Sequence, residues 1–484
     1  FGYQSAGENL ILQSMNTHNS NTSFGYVKFV LIISLVMIFI SGGLMAQKWT
    51  LEDCVNYALE HNIQIQQSRL EVQAGEINQL ESKLDFLPSL NAQASHAYGW
   101  GRSIDMATYT YVDEQTQQSY FDINSSVTLF NGFQKVNTMK QRRSEYLAAK
   151  YSADKIKNDI ALSVAGYYLQ ILFNHELLNN AKRQREVTEQ QVNRTNKLVE
   201  AGTLARGSLL EIQAQLANEE VSVVQAENQL NLAYLDLLQL LEMEADTDLE
   251  IAFPTLIVSR APELLPVDYI YNTALGVMPE IKQAEQNVEG TERALAIAKG
   301  SRSPSLSLNA GIGTNYSDKI FLSNNPLDPN YREVKPFDDQ IRDNRNTTLS
   351  FRLSIPIFNG YQSSSYINRS KLNLLNADYN LQLAKNSLRK NVETAYTDAL
   401  AAYKSYQARE KSLRSLNESF NYTQQKFDRG MVNALDYNMA KNQLNIAESE
   451  LLSSKYDFIF KLKVLEFYLG KTLTLADMAD YMEE

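Results

Sequence analysis

Leu129-Phe130-Asn131-Gly132-Phe133 closes an alternating, strand-like run and opens a very long helical pattern. Ile357-Phe358-Asn359-Gly360-Tyr361 does the same 228 residues later, and the same offset carries Gly202 onto Gly430. Upstream, Leu87-Pro88-Ser89-Leu90 matches Ser303-Pro304-Ser305-Leu306 at an offset of 216. The 12-residue difference falls between the strand-like runs, where an insertion costs least. An internal repeat of this kind limits the fold before any local reading does. Each half reads helix, strand, strand, very long helix, turn, helix.

A chain of 484 residues suggests about three domains by length alone. The repeat argues instead for one architecture built twice. The balance of 45 basic against 56 acidic residues, net −11, disfavours a nucleic-acid partner. The single cysteine, Cys54, cannot form an internal disulfide, and its helical context Leu51-Glu52-Asp53-Cys54-Val55 reads as a small buried residue. Residues 27–46 form the only long apolar run, with Lys28 ahead of it and Gly42-Gly43-Leu44-Met45-Ala46 behind, the pattern of a secretory signal. The alternative is a retained anchor, because the run approaches spanning length. Residues 1–14 precede Met15 and read as added to the natural product.

From Phe133 to Val199 there is no proline, and Ile156, Ile160, Val164, Tyr167 and Ile171 mark a helical stripe. Tyr361 to Phe427 repeats the length, with Leu372, Leu375, Tyr379, Leu383, Leu388, Val392 and Tyr396 as its stripe. A helix of that length is roughly 100 Å long at about 1.5 Å per residue, so it must pack along partners as in a coiled coil. Gly202 and Gly430 suit left-handed helix ends. Ser208 and Asp436 are read as N-caps of returning helices. Polar uncharged side chains off the stripes, such as Gln190 and Gln191, fit a solvated face or the lining of a wide aqueous space.

Four segments alternate with period two: 88–102, 121–129, 306–312 and 349–357. Each approaches the roughly 9–11 residues of a tilted membrane strand. Pro356 is expected at a strand end or bulge. Four strands cannot close a barrel, since the smallest need about eight, and an open edge in lipid leaves backbone groups unpaired at several kcal/mol each. Membrane strands here must therefore be shared between copies of the chain. A pair of soluble hairpins capping a coiled coil is the competing reading.

The repeated halves, the Leu/Ile-Phe-Asn-Gly mark and the glycine-centred helical turns together resemble the TolC-like outer membrane efflux protein family, from Trp49-Thr50-Leu51-Glu52 to Leu469-Gly470. The resemblance implies a mixed α/β membrane protein. A homotrimer would share a 12-stranded outer-membrane β-barrel, four strands per chain, continuous with a long periplasmic α-helical coiled-coil tunnel. It implies a passive exit duct of a tripartite efflux or type I secretion system, not an enzyme, with no cofactor. Its partners would be further copies of itself, a periplasmic adaptor, an inner-membrane pump and outer-membrane lipid. The implied location is the outer membrane of a Gram-negative bacterium. By position from Gly430, Asp436 matches one of the family's gate acids, the second falls on Met439, and Ser208 stands where the family can carry an acid of the closing network. Gly202, Leu204, Ser208, Gly430, Met431 and Val432 resemble the family's adaptor-docking tips, with Leu204, Met431 and Val432 expected to be exposed.

The implied division is 1–46, added residues plus signal; 47–250, first repeat; 251–266, a linker in an equatorial belt; 267–470, second repeat; and 471–484, a tail. His18, His61, His96 and His175 show no metal-ligand spacing, and Gly311 and Gly313 lack the third glycine of a phosphate loop. The outer loops are expected at 103–118 and 317–345. The competing function is a membrane-anchored or secreted coiled-coil interaction protein without a channel. Cargo, in either efflux or secretion, would be chosen by the pump and adaptor.

Overall fold

The computed structural model describes residues 48–104, 109–254, 265–471, 473 and 475. The expected signal at 27–46 lies outside them. Two compact units result. The smaller is described at 48–50 and 248–252, where Trp49 N–H donates to Glu250 O (2.8 Å), Ala252 N–H donates to Trp49 O (2.8 Å), and Lys48 pairs with Glu250 (3.0 Å). The larger holds everything that follows.

The element order runs twice. The first half comprises α1 (Leu51–His61), α2 (Ile63–Leu84), β1 (Ser89–Ile104), β2 (Tyr111–Phe130), α3 (Gln134–Glu200) and α4 (Arg206–Leu240). The second comprises α5 (Val267–Val277), α6 (Pro279–Gly300), β3 (Ser305–Ser317), a short α7 (Phe337–Asp343), β4 (Asn346–Ser354), α8 (Gln362–Asp428) and α9 (Ala434–Tyr468). α3 and α8 are both 67 residues long, and α4 and α9 both 35. The helix ahead of each strand pair, expected as one element, is two. Asn62 starts α2 by accepting from Gln64 N–H (3.0 Å) and Ile65 N–H (3.4 Å), while Pro279 opens α6 at its first turn, where its missing N–H costs nothing.

The strands form one antiparallel sheet in the order β1-β2-β3-β4. β2 begins ten residues before the expected 121, because the ladder with β1 runs to Ile104↔Tyr111 through residues (Gln115, Gln117, Ser119) too polar for the hydropathy pattern to flag. β4 ends at Ser354, not Ile357, and Pro356, which has no N–H for a ladder, lies beyond it. The expected outer loop 317–345 contains α7. Gln340, fully buried, accepts from Ser317 N–H (3.0 Å) and donates to Ser317 O (3.0 Å), and Asn344 donates to Asn315 O (2.8 Å). These side chains satisfy the β3 edge above Gly313, where β4 has not begun.

The Phe-Asn-Gly marks are the hinges between sheet and helix. In each, Asn accepts from the fourth N–H onward (Asn131 from Lys135, Asn359 from Ser363, both 3.4 Å). The next two residues are left-handed: Gly132 and Phe133 at φ 65° and 58°, Gly360 and Tyr361 at 60° and 68°. The two glycines differ in space. A Cβ on Gly132 would stand 2.5 Å from Ser303 Cβ and 2.6 Å from Gly300 O, whereas on Gly360 it meets nothing within 4 Å. Gly360→Ala is therefore expected to cost about 1–2 kcal/mol from backbone strain alone. Gly132→Ala should cost distinctly more, because the end of α6 must move as well. Denaturant unfolding of the two variants, side by side, checks the order.

Below the sheet, α2 packs on α3, α3 on α6 and α6 on α8, so the helices follow the strand order. The second-half core joins Ile270, Ala274, Met278, Ile281, Leu388, Val392 and Leu465. In the first half Tyr168, not the expected Tyr167, is the buried member of the stripe. Among the described residues no helix is long and apolar enough to cross a membrane.

Candidate functional site

Two features of the larger unit have functional chemistry: the two-faced sheet and the paired helical turns at the far ends of α3 and α8. The registers align Ala92, Ile123 and Ile312 across three strands, and Val127, Leu308 and Phe351 likewise. One face is thereby apolar and exposed, from Leu90 through Ile123 and Ile312 to Leu349, Phe351 and Leu353. The opposite face carries Asn91, Asp122, Asn124, Asn309, Thr348 and Ser350 around a shared concavity. A single sheet with its apolar side bare and its polar side concave is the reverse of a soluble domain, where the apolar side is covered. The apolar band runs from Leu90 to Trp100, roughly 34 Å of strand, which at the usual tilt spans about the 25 Å band of outer-membrane barrels. Along it, the His96 ring bonds to Ser119 Oγ through Nδ1 (2.8 Å) and to Gln117 Nε2 through Nε2 (3.2 Å).

The edges of the sheet and of the helical layer are open at the same places. β1 and β4 each have one side without a strand partner among the described residues. α2 and α8, the outer helices of the layer, each expose an apolar stripe: Ile63, Leu70, Ile77 and Leu84 on α2, and Leu372, Leu375, Tyr379 and Leu383 on α8. The α8 stripe is expected to pack along partners; inside this chain only its lower part, Leu388 and Val392, is fully buried.

At the turns, Gly202 (φ 72°) and Gly430 (φ 70°) end α3 and α8 in the left-handed conformation, with nothing within 4 Å of either added Cβ. Thr203 N–H donates to Leu198 O and Met431 N–H to Lys426 O, each at 2.9 Å, a bond spanning five residues that closes the last helical turn. Ser208 and Asp436 are not N-caps. The N-cap positions of α4 and α9 come earlier, at Ala205 and Asn433, and Asn433 accepts from Asp436 N–H (2.8 Å). The expectation passed over Asn433, a strong capping residue itself, for the acid three places on. Asp436 is thus exposed in the first turn of α9, with Met439 exposed one turn further and Ser208 half-buried on α4. Of the three apolar residues expected to be exposed, Met431 is (68%), whereas Leu204 and Val432 are half-buried.

The sequence reading missed the residues that tie the hairpins together. Arg194 on α3 pairs with Asp428 at the end of α8 (3.0 Å). Higher up, Lys441 on α9 donates to Glu219 Oε1 on α4 (3.0 Å) and to Thr188 on α3, with both charged side chains about 95% buried. A signal was present: Tyr437, Lys441 and Leu444 share the buried face of α9, so a cation sits on an otherwise apolar stripe. Tyr437 stacks on Phe427 (centroids 4.7 Å), and burial, reinforced by Asp428, pushes its phenol above the ordinary tyrosine range.

Residues 54–242 and 270–471 match the family model described as "Outer membrane efflux protein". The outer membrane protein TolC of Escherichia coli strain K12 is 22% identical over 402 residues, 82% of this chain and 77% of that protein. The cation efflux system protein CusC of Escherichia coli O157:H7 is 23% identical over 420 residues, covering 83% and 82%. The Campylobacter jejuni CmeC outer membrane channel superposes with a TM-score of 0.73 at 16% identity, over 89% of this chain and 88% of that one.

Proposed function

The chain belongs to the outer membrane efflux protein family, channels with long periplasmic extensions rather than enzymes, and from that premise we propose that it is the passive exit duct of a tripartite efflux or type I secretion system. Three copies close a 12-stranded barrel, β4 of one against β1 of the next, while α8 closes on α2 below to form the tunnel. The observation that carries this is the coincidence of the open edges. Within the chain β2 joins β3 and α3 joins α6; β4 with β1 and α8 with α2 are the counterparts left over, one repeat later. Gly360 fits the same reading, because its in-chain counterpart Gly132 is wedged against α6 while Gly360 has open space where α2 of the next copy would lie. The reading as a coiled-coil protein without a channel leaves the bare apolar sheet face unexplained.

In this reading the halves 47–250 and 267–470 are the two repeats, joined by the linker 251–266, with 471–484 as the tail. The tips around Gly202, Leu204 and Ser208 and around Gly430, Met431 and Val432 meet a periplasmic adaptor, and beyond it an inner-membrane pump drives transport. Asp436, exposed on α9, forms an acidic ring of three at the inner end, and Met439 replaces a second. A ring of carboxylates favours cations and narrows conduction.

Planar-bilayer recording with mass measurement tests the duct. A trimer with small, cation-preferring conductance that rises in Asp436→Ala is the expected outcome. A trimer whose conductance ignores the substitution removes the gate and keeps the duct. A non-conducting monomer or dimer removes the duct.

A further inference from the structure

The two ends of the sheet differ in where their acids lie. At the outer end Lys319 pairs with Glu114, Lys335 with Asp343, and Arg342 with Asp339. At the inner end, where strands pass into helices, acids are scarce: Asp85, ahead of β1, pairs with Lys135 (3.3 Å), and the other three junctions hold no acid. None occurs in 131–144, 293–317 or 355–377, although the chain holds 56. Those segments keep their bases, and Lys140, Arg143, Lys299, Arg369 and Lys371 are exposed and make no ion pair among the described residues.

These cations lie just beyond a rim of exposed aromatic side chains. Phe130 and Phe133 close the apolar face on one strand pair, Phe358 and Tyr361 on the other. Lys140 follows Phe133 by seven residues, two turns down the same helix face, or about 10 Å. The polar headgroup layer of a bilayer is roughly 5–8 Å deep on each side of the hydrocarbon. Long basic side chains extend upward from a helix to such a layer, keeping their stems on apolar surface. Lys299 stands at the end of α6 next to the strand, at headgroup depth.

Resting on the outer-membrane reading above, we propose that this basic collar binds anionic phospholipid of the membrane leaflet facing the periplasm, with the unpaired ammonium and guanidinium groups on headgroup phosphates below the aromatic rim. Charge complementarity identifies the occupant. The chain is acidic overall, so the collar is a local excess of positive charge, placed against the apolar band where a lipid phosphate plane would lie. An anionic lipid gains what a zwitterionic one does not, on the order of five-fold per well-placed cation. The attraction also weakens once the Debye length shrinks to about 3 Å near 1 M salt.

The test uses the full trimer in nanodiscs of phosphatidylcholine with a minority of phosphatidylglycerol, with native mass spectrometry counting retained lipids and planar bilayers recording conductance. Phosphatidylglycerol enriched about five-fold over bulk, falling with salt, is the expected result for the unaltered chain. The fivefold variant K140Q/R143Q/K299Q/R369Q/K371Q should conduct as before and retain lipid at the bulk ratio. A conducting trimer with no preference for phosphatidylglycerol overturns the proposal, as does a variant that keeps the preference. A chain that inserts into no bilayer fails differently: it conducts nothing, and the outer-membrane reading falls with it.

Discussion

Lys441→Met is expected to destabilise the lower hairpins by about 3–5 kcal/mol, the cost of removing one member of a buried ion pair. Lys441 Nζ reaches Glu219 Oε1 at 3.0 Å and Gln184 O at 3.4 Å, besides Thr188. Glu219 Oε1 also accepts from Gln215 at 3.0 Å, while its Oε2 is buried without a partner. Removing the cation leaves a carboxylate with one hydrogen bond in a place water does not reach. Replacing both residues at once, Lys441→Met with Glu219→Leu, should restore most of the loss, because an apolar pair of similar volume carries no desolvation cost. A double-mutant cycle by denaturant unfolding separates the two effects. A single variant within about 1 kcal/mol of the parent would show that the pair is not needed. The pair joins α3, α4 and α9 eleven residues above Gly430, so amide exchange in 430–441 should quicken as well.

A second large effect is expected at the edge of the helical layer. Leu70 and Ile77 are 63% and 66% exposed in the single chain and lie seven residues apart on α2, with Ile63 and Leu84 continuing the seam. A seven-residue apolar repeat is the mark of a helix that meets another helix. Burying each such side chain contributes about 1.5–3 kcal/mol, and a trimer has three such seams. Leu70→Asp with Ile77→Asp should therefore convert the trimer to monomers by light scattering in detergent, with helical circular dichroism kept, because neither residue touches the chain's own core. Asp at Ile65, buried on the other face of α2, should unfold the first half instead. An intact trimer carrying both substitutions would place the copy-to-copy contact elsewhere.

Much of the architecture was legible without coordinates. The offsets of 216 and 228 return as α1–α2 against α5–α6 and as α3–α4 against α8–α9, because helix periodicity and turn glycines are local signals that each segment carries by itself. Gly202 and Gly430 were found for the same reason: only a residue without Cβ adopts φ near +70° at no cost. Local signals also misled. Asp436 reads as a cap by residue type and by its place after the turn, but Asn433 holds that place. Alternation missed the first ten residues of β2, whose side chains are polar on both faces and whose ladder depends on β1.

The sequence by itself determined the element order, the repeat, the two-faced strands and the turns, since all of these follow from spacing along a few neighbouring residues. The tertiary structure alone decided which helices stand at the open edges, and that Lys441 meets Glu219 across 222 residues of chain. It also decided that the collar cations make no ion pair among the described residues. Such facts depend on distances between segments that chain connectivity leaves free, and packing is what fixes them.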